Sequence, residues 1–311
     1  MFRISAILFF IPLFFYMLCF PKAAFEASCS GLILWFQTVL PSLLPFIIVS
    51  NFLTQTGIPM KLLKYFRKFF EKFLGLSING GYAFLMGIFC GYPMGAKVTA
   101  DLLRCKQISQ NEAEYLLTIS NNASPMFISS ILVLKTLGMD SLMMPTFLIL
   151  YTSCLLNTLF WRIRYRRFGI SELKIIKNEV PTIRSWGALI DTSIMNGFEA
   201  ITKLGGYIIL FTVFSTAAGT LLKEFPYPAA VLTGLTEMTT GIRQIVGTDF
   251  PFTVKYALIL SCASFGGLST AAQTKCMLPG TNLDIRIYIL AKTGNGLLTF
   301  LLTLLLVGFF I

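Results

Sequence analysis

Long apolar runs broken by glycine, proline and asparagine constrain this chain more than any other feature. Residues 91–97 read Gly-Tyr-Pro-Met-Gly-Ala-Lys and residues 120–125 read Ser-Asn-Asn-Ala-Ser-Pro, and both stretches lie inside runs apolar enough to enter or cross a bilayer. Glycine and proline weaken a helix, and the backbone groups that they free need polar partners. In lipid such breaks are tolerated only inside protein or beside a wet cavity. Many secondary transporters build a substrate site from paired broken helices, so the two stretches predict a polar site at membrane depth.

Composition places the whole chain in a membrane. Of its 311 residues, 55% are hydrophobic and 13% are charged, and the mean hydropathy is +0.75. A soluble domain is usually about a quarter charged. The net charge is +11, but the basic residues stand beside apolar runs, which the positive-inside rule explains and which gives no reason to expect a nucleic-acid partner. We predict an all-α polytopic membrane protein with one transmembrane domain over residues 1–311.

The residues that most enzymes rely on are scarce. The sequence has no histidine, and its seven cysteines are scattered without a C-x-x-C pair. Histidine is the commonest general base and metal ligand, and cysteines in apolar runs usually act as small core residues. There is no P-loop for a nucleotide. We therefore expect no enzyme activity, no cofactor and no metal site.

Residues 1–58 are predicted to hold the first spans, at residues 4–20 and 32–53, joined by a short link. Arg3 followed by an apolar run also resembles a secretory signal peptide, but no clean small-residue cleavage site follows, so a retained span is favoured. Pro41 and Pro45 interrupt the second span.

An amphipathic helix is predicted over residues 59–76. One helical face is apolar and the rest is basic, which is typical of a helix that lies in the interface on an anionic leaflet, with lipid headgroups as its partner. The apolar residues are Leu62, Leu63, Phe66, Phe69, Phe70, Phe73 and Leu74, and the basic residues are Lys61, Lys64, Arg67, Lys68 and Lys72.

Two segments with the same rhythm follow, residues 78–162 and 204–311. In each, 29 residues separate a broken hairpin from a broken span (Gly91 to Ser120, Leu235 to Ser264), and 21 more reach an intact span. Ser109 with Glu112 gives a capping-box signal for the first broken span. Residues 163–203 are predicted to form a basic cytoplasmic loop and an interfacial segment. Because one span then carries the chain across, the second hairpin enters from the other side, which predicts an inverted repeat with two re-entrant hairpins.

In the first repeat, the candidate ligand-binding groups lie at the breaks. Asn121, Asn122 and Ser124 can offer amide and hydroxyl groups to a solute, and the half-helix that begins after Pro93 and Gly95 favours an anion at its N-terminus. The alternative is hydrogen bonding between helices.

Two side chains beside the first tip are also candidates. Tyr92 could stack on a planar ring or simply pack. Lys97 would suit a carboxylate, or it could pair with Asp101 four residues on.

The second repeat contains the most costly residue, Glu237, at a predicted tip. A carboxylate at membrane depth is usually functional or paired, and Lys97, Lys275 and Lys292 are the candidate partners. The small and polar residues after it could bind a ligand or allow close helix packing. The predicted substrate-binding set in this half is Glu237, Thr239, Gly266, Gly267, Ser269 and Gln273.

The motifs at residues 91–97 and 120–125 resemble those of YlbJ-type sporulation integral membrane proteins. These belong to the nucleoside-recognition or Gate-domain proteins, which are similar to concentrative nucleoside transporters. Residues 262–269 are only loosely similar to the corresponding transporter segment, which carries an asparagine where this chain has glycine. Glu237 matches a hairpin glutamate of those transporters. The resemblance implies a multi-pass protein of the bacterial membrane, specifically the outer forespore membrane, with dipicolinate as cargo.

Three functions remain in competition at the level of sequence. The first is a secondary transporter of a small planar anion, dipicolinate, from the mother cell towards the forespore. The second is a transporter of a nucleoside or another polar metabolite, and the third is a non-transporting scaffold of spore assembly. The sequence leaves homo-oligomerisation open.

Overall fold

The computed structural model describes residues 2–56, 62–165 and 185–309, and this part of the chain is helical with no strand. Five of its helical stretches are long and apolar enough to cross a membrane, which confirms the all-α polytopic prediction. The helices are α1 (Phe2–Cys19), α2 (Pro21–Leu34), α3 (Leu40–Thr56), α4 (Ile78–Cys90), α5 (Met94–Arg104), α6 (Gln110–Ile119), α7 (Met143–Tyr165), α8 (Trp186–Leu221), α9 (Pro226–Thr236), α10 (Met238–Val246), α11 (Phe252–Phe265), α12 (Gly267–Cys276) and α13 (Ile285–Leu306).

The link expected between the first two spans is helical. Helix α2 begins at Pro21 and continues through a π-helical turn, Trp35–Val39, into α3, so that Pro21–Thr56 is one stretch of 36 residues. Proline suits the first position of a helix because its φ is already helical and its missing N–H would have no partner there. The π turn lies just before Pro41, where the backbone must accommodate a missing donor.

The described part of the amphipathic segment, residues 62–74, is a series of short helical turns that meets α4 at 83°. Phe70 and Leu74 are buried in the core, while Phe66, Phe69 and Phe73 are exposed beside the basic residues. An exposed aromatic face next to cationic side chains is what an interfacial helix needs. Residues 59–61 of the predicted helix lie outside the described residues.

Both predicted hairpins are present, and both later helices are interrupted. Helices α4 and α5 pack against each other with a turn at residues 91–93, and α9 and α10 do so with a turn at Glu237. Ser109 caps α6 and accepts a hydrogen bond from the backbone N–H of Glu112, as the capping-box signal predicts. Residues 121–124 then leave the helix before π1 (Phe127–Leu137), a helix of π geometry. Between α11 and α12 the break is at Gly266.

The interfacial segment predicted before the fourth long span is part of that span. Helix α8 runs without interruption from Trp186 to Leu221, so the predicted boundary at residues 203 and 204 does not exist. Proline is absent from these 36 residues. Glu199 and Lys203, whose charges made this stretch resemble an interfacial segment, form an i,i+4 pair that supports the helix. The basic residues at 166–184 lie outside the described residues.

The hairpins and breaks are held by helices that are distant in sequence. Helix α8 packs against α2 and α3 on one side and against α9 and α12 on the other, and α13 packs along α11 and α7. Buried apolar residues such as Ile47, Met94 and Leu204 share one core cluster with the first hairpin. The helices α9 to α13 repeat the order of α4 to α7, and the inverted orientation of the two sets stays a prediction.

Candidate transport site

The first tip is fixed to the first break by backbone contacts. The N–H of Tyr92 donates to the carbonyl of Asn122 at 2.9 Å, and the N–H of Ala96 donates to Oδ1 of Asn121 at 2.8 Å. Asn121 in turn donates through Nδ2 to Oγ1 of Thr274 in α12 at 3.0 Å. Asn121 therefore ties the start of α5 to the second half of the protein. This is the hydrogen bonding between helices that the sequence left as the alternative for this residue.

Two glycines make this contact as close as it is. An added Cβ at Gly87 would lie 1.6 Å from the carbonyl oxygen of Ser120, and one at Gly95 would lie 2.1 Å from the same atom. The carbonyl of Ser120, which the break leaves outside the helix, thus occupies space that a side chain at Gly87 or Gly95 would fill. Gly91 has a φ of 81°, in the left-handed region that favours glycine, and it starts the turn that contains Pro93.

Replacing Gly87 with alanine is expected to separate the first hairpin from the first break. The added methyl group must displace a backbone carbonyl, and overpacking of this kind costs about 1–3 kcal/mol. The midpoint of thermal unfolding of the purified protein in detergent measures the loss. The matched control is Gly206→Ala in α8, where the added Cβ meets nothing within 4 Å. Equal midpoints for the two variants would contradict the predicted contact.

The second tip is closed by Glu237, which caps α10. Its carboxylate accepts four hydrogen bonds of 2.6–3.1 Å from the N–H and hydroxyl groups of Thr239 and Thr240. The Glu237 side chain is 5% exposed. Within the described residues it forms no ion pair, so the structure gives it donors from its own hairpin in place of the lysines considered from sequence.

The second tip packs against the second break, just as the first tip packs against the first break. Gly266 and Gly267 have φ values of 84° and 79°, and an added Cβ on Gly267 would lie 3.1 Å from the carbonyl oxygen of Thr236. Ser269 accepts a hydrogen bond from Nε2 of Gln273 at 3.0 Å. Close packing, the alternative considered for these glycines, describes them well.

The two tips touch. The hydroxyl of Tyr92 donates to Sδ of Met238 at 2.7 Å, across 146 residues of sequence. The Tyr92 ring also lies 6.4 Å from the ring of Phe127. The two hairpin tips therefore meet inside the helical bundle.

A cavity of about 420 Å³ opens beside the tips. We call it the apolar cavity, because Phe46, Phe89 and Phe127 form much of its wall. It brings together five of the predicted site residues, Tyr92, Ser124, Glu237, Thr239 and Gln273.

A second cavity, of about 480 Å³, lies further along the same helices. We call it the polar cavity, because most of its lining side chains are charged or amide groups. Lys97 lies here, 12% exposed, with Nζ donating to Oδ1 of Asn51 at 2.7 Å and to Oδ2 of Asp101 at 2.9 Å. The pairing with Asp101 considered from sequence is present. The ionisable lining residues are Lys97, Asp101, Arg104, Cys105, Glu199, Lys203 and Cys276.

The barrier between the two cavities is thin. In α12, Gln273 lines the apolar cavity and Cys276 lines the polar cavity, and three helical residues span about 4.5 Å. In α3 the change falls between Phe46 and Asn51. Fully buried Ile47 lies between them.

The remaining predicted site residues line neither of the two large cavities. Asn122 lines a small third cavity of about 10 Å³. Six others, which line none of these three cavities, shape the backbone of the tips and breaks: Pro93, Gly95, Asn121, Gly266, Gly267 and Ser269.

Similarity to a known protein covers nearly the whole chain. The sporulation integral membrane protein YlbJ of Bacillus subtilis (strain 168) is 27% identical over 322 aligned positions, which include 92% of this chain and 78% of that protein. This supports a YlbJ-type family assignment. No family model matches the chain, and no solved structure matches it.

The YlbJ-type assignment, together with the apolar helices, supports a multi-pass membrane protein with a membrane role in sporulation. The nucleoside-recognition part of the resemblance stays a prediction. The role of each predicted site residue also stays a prediction, although the fold brings most of them to the two tips.

Sequence reasoning missed the walls that α8, α3 and the π turn before α3 contribute to the two cavities. Asn51, Asn196 and Lys203 line the polar cavity, and Gln37 and Ile208 line the apolar cavity. None of these five residues lies at a break that the sequence predicts for the two hairpins, so no local signal marks them as part of a site. Their placement follows from packing between segments about 150 residues apart.

Proposed function

We propose that this protein is a secondary transporter of a small planar anion, with dipicolinate as the leading candidate. The observation that carries the proposal is the pair of cavities separated by about one helical turn. A carrier must open one site to each side in turn, and re-entrant tips between repeats are where transporters build such a site. The resemblance adds the direction, from mother cell towards forespore.

The charge of the polar cavity supports an anionic cargo. Three cationic side chains, Lys97, Arg104 and Lys203, face two carboxylates, Asp101 and Glu199. Arg104 and Lys203 are bound at 2.6 Å to Asp101 and Glu199, and ion pairs as exposed as these are weak because water screens them. A dicarboxylate entering here meets one excess positive charge.

The shape and lining of the apolar cavity support a planar ring. Its volume of about 420 Å³ falls in the range of about 300–1,000 Å³ usual for small-molecule sites. Tyr92 and Phe127 present aromatic surface to it, and Ser124 and Gln273 add polar groups. The objection that Glu237 repels an anion is weakened because four donors already surround its carboxylate.

A nucleoside or similar uncharged solute is the second candidate. The observation that favours it is Glu237 itself, a buried carboxylate that lines the apolar cavity and has no cationic partner among the described residues. A hydroxyl-rich solute could donate hydrogen bonds to it, whereas a dianion could not. The absence of catalytic signals in the sequence supports transport without an enzyme activity.

The exposed face of the segment at residues 62–74 supports a place on an anionic leaflet. Phe66, Phe69 and Phe73 are exposed beside Arg67 and Lys68. We propose that this segment holds the first hairpin at the membrane interface while the tips move.

Uptake by the purified protein in liposomes tests the proposal. Labelled dipicolinate should enter at least about tenfold faster than into protein-free liposomes, a difference equivalent to about 1.4 kcal/mol in the rate-limiting barrier. Labelled uridine, measured in parallel, should not. Uridine uptake without dipicolinate uptake would reverse the ranking of the two solutes, and uptake of neither would favour the scaffold.

A further inference from the structure

Lys292 is a buried lysine that the proposed site does not use. It lies in α13 and is 1% exposed. Its Nζ donates to Oδ1 of Asn122 at 3.1 Å, and Asn122 belongs to the first break. Among residues 2–56, 62–165 and 185–309, no carboxylate lies within 4.0 Å of it.

The small cavity lined by Asn122, the hydrogen-bond partner of Lys292, is polar and incompletely paired. The small cavity of about 10 Å³ is lined by Asn122, Tyr151, Cys154, Ser264 and Asn295, among others. Oδ1 of Asn295 and the hydroxyl of Tyr151 are buried there and have no hydrogen-bond partner within the described structure. A space of this size accommodates about one water molecule when polar groups surround it.

A continuous chain of polar side chains leads away from this space. Nδ2 of Asn295 donates to Oγ of Ser264 at 2.7 Å. Oγ1 of Thr299 lies within donating distance of three acceptors, Ser264 Oγ at 2.9 Å, Ser153 Oγ at 2.8 Å and the carbonyl of Asn295 at 2.7 Å. These hydrogen bonds connect the small cavity to the buried hydroxyl groups of Ser264, Thr299 and Ser153.

The charged form of Lys292 is poorly compensated in this place. An ammonium group has three N–H donors, and the described structure gives it one acceptor. An unpaired charge buried in a membrane protein is costly, and intramembrane ionisable residues commonly serve proton relays. The titratable groups that line the small cavity with Asn122 are Cys154 and Tyr151 from α7, and Tyr288 lies one turn from Lys292 on α13. The first break and α11 contribute Asn122 and Ser264, which do not titrate.

We propose that Lys292, together with the water-sized space lined by its partner Asn122, is the proton-binding site that couples transport to a proton gradient. The inference rests on the proposed function. The proton would bind to Nζ while the first break holds Asn122 against it, and movement of the break would change that contact. Lys292 thereby senses the state of the first tip, because the same Asn122 accepts the N–H of Tyr92 through its carbonyl.

Two transport assays on liposomes that contain the full chain test the coupling. One measures exchange of labelled for unlabelled dipicolinate, which needs no net proton movement, and the other measures proton entry with a trapped pH dye. For Lys292→Gln we expect exchange to continue within about threefold of wild type, while proton entry and gradient-driven accumulation fall by about tenfold or more. The matched control is Lys223→Gln, an exposed lysine outside all three cavities, which should retain both. Lys292→Gln with unchanged proton entry overturns the proposal.

Measurements on the wild type keep the proposal testable if Lys292→Gln does not fold. Wild-type uptake that carries no protons and ignores the gradient refutes the coupling without any variant. A readout that needs no solute is nitrogen NMR of lysine-labelled protein, in which the Lys292 signal should change protonation state over the pH range where the protein stays folded. A signal that never changes overturns the proposal. Failure of the wild type to take up any solute would instead count against the proposed function.

Discussion

Replacing Glu237 with glutamine is expected to lower dipicolinate uptake by about 100-fold, which corresponds to about 2.7 kcal/mol. The carboxylate accepts the N–H groups of Thr239 and Thr240 through different oxygens. Glutamine keeps one acceptor and turns the other into a donor, so one partly buried N–H loses its partner. The two threonine hydroxyls can rotate, but a backbone N–H cannot. A buried N–H without a partner costs about 1–3 kcal/mol, and the cost for this partly buried group falls on the tip that contacts Tyr92 through Met238 and lines the apolar cavity.

Initial rates of uptake by liposomes with equal amounts of folded protein measure the effect. Glu224→Gln is the matched control, because Glu224 is exposed and lies outside both cavities, and its rate should stay within about twofold of wild type, as expected for a surface change of less than 0.5 kcal/mol. Size-exclusion profiles and unfolding midpoints show whether Glu237→Gln remains folded. Full uptake by folded Glu237→Gln would remove Glu237 from the transport mechanism and leave it as a helix cap.

The helix breaks were predictable because their signals are local. Residue type alone predicts turns at Gly91 and Pro93 and at Gly266 and Gly267. The structure has a helix break at each pair. The capping role of Ser109 is equally local. The burial of a charged residue, Glu237, at a break was also predicted, since a carboxylate in an apolar run has few other places to go.

The walls of the site were not predictable because they depend on packing. Lys97 and Lys203 meet at the polar cavity although 106 residues separate them in sequence. The sequence also suggested a boundary inside α8, since charged residues there resemble an interfacial stretch. In the structure, Glu199 and Lys203 pair with each other at 2.6 Å on one helix. A mixed charge pattern alone does not separate an interfacial helix from a long helix with one wet face.

Lys292 has both a local signal in the sequence and a contact that depends on packing. A lysine in a 22-residue apolar helix is conspicuous in the sequence, and it was considered as a partner for Glu237. Its observed partner is Asn122, from the other half of the protein. The residue could be singled out from sequence, but its contact could not, because the choice between Glu237 and Asn122 depends on how the two halves pack.

The second large effect is expected in the sidedness of thiol labelling. In α8, Asn196 lines the polar cavity, and in π1, Ser130 lines the apolar cavity. Both residues are exposed. In a variant whose seven cysteines are replaced, Asn196→Cys and Ser130→Cys should react with a membrane-impermeant maleimide from opposite faces of the membrane. The reason is that the cavities occupy different levels along α3 and are separated by buried Ile47.

The labelling rate of each variant is compared in right-side-out and inside-out vesicles. For each variant we expect the two rates to differ at least about tenfold, which corresponds to a barrier difference of about 1.4 kcal/mol. The exposed Lys223→Cys is the reference for one face, since it marks the end of α8 outside both cavities. Dipicolinate should alter the ratio of the two labelling rates, because a solute held between the tips stabilises one arrangement of the barrier over the other. If Asn196→Cys and Ser130→Cys both react from the same face, the two cavities are one vestibule, and the tips do not separate two sides of a membrane.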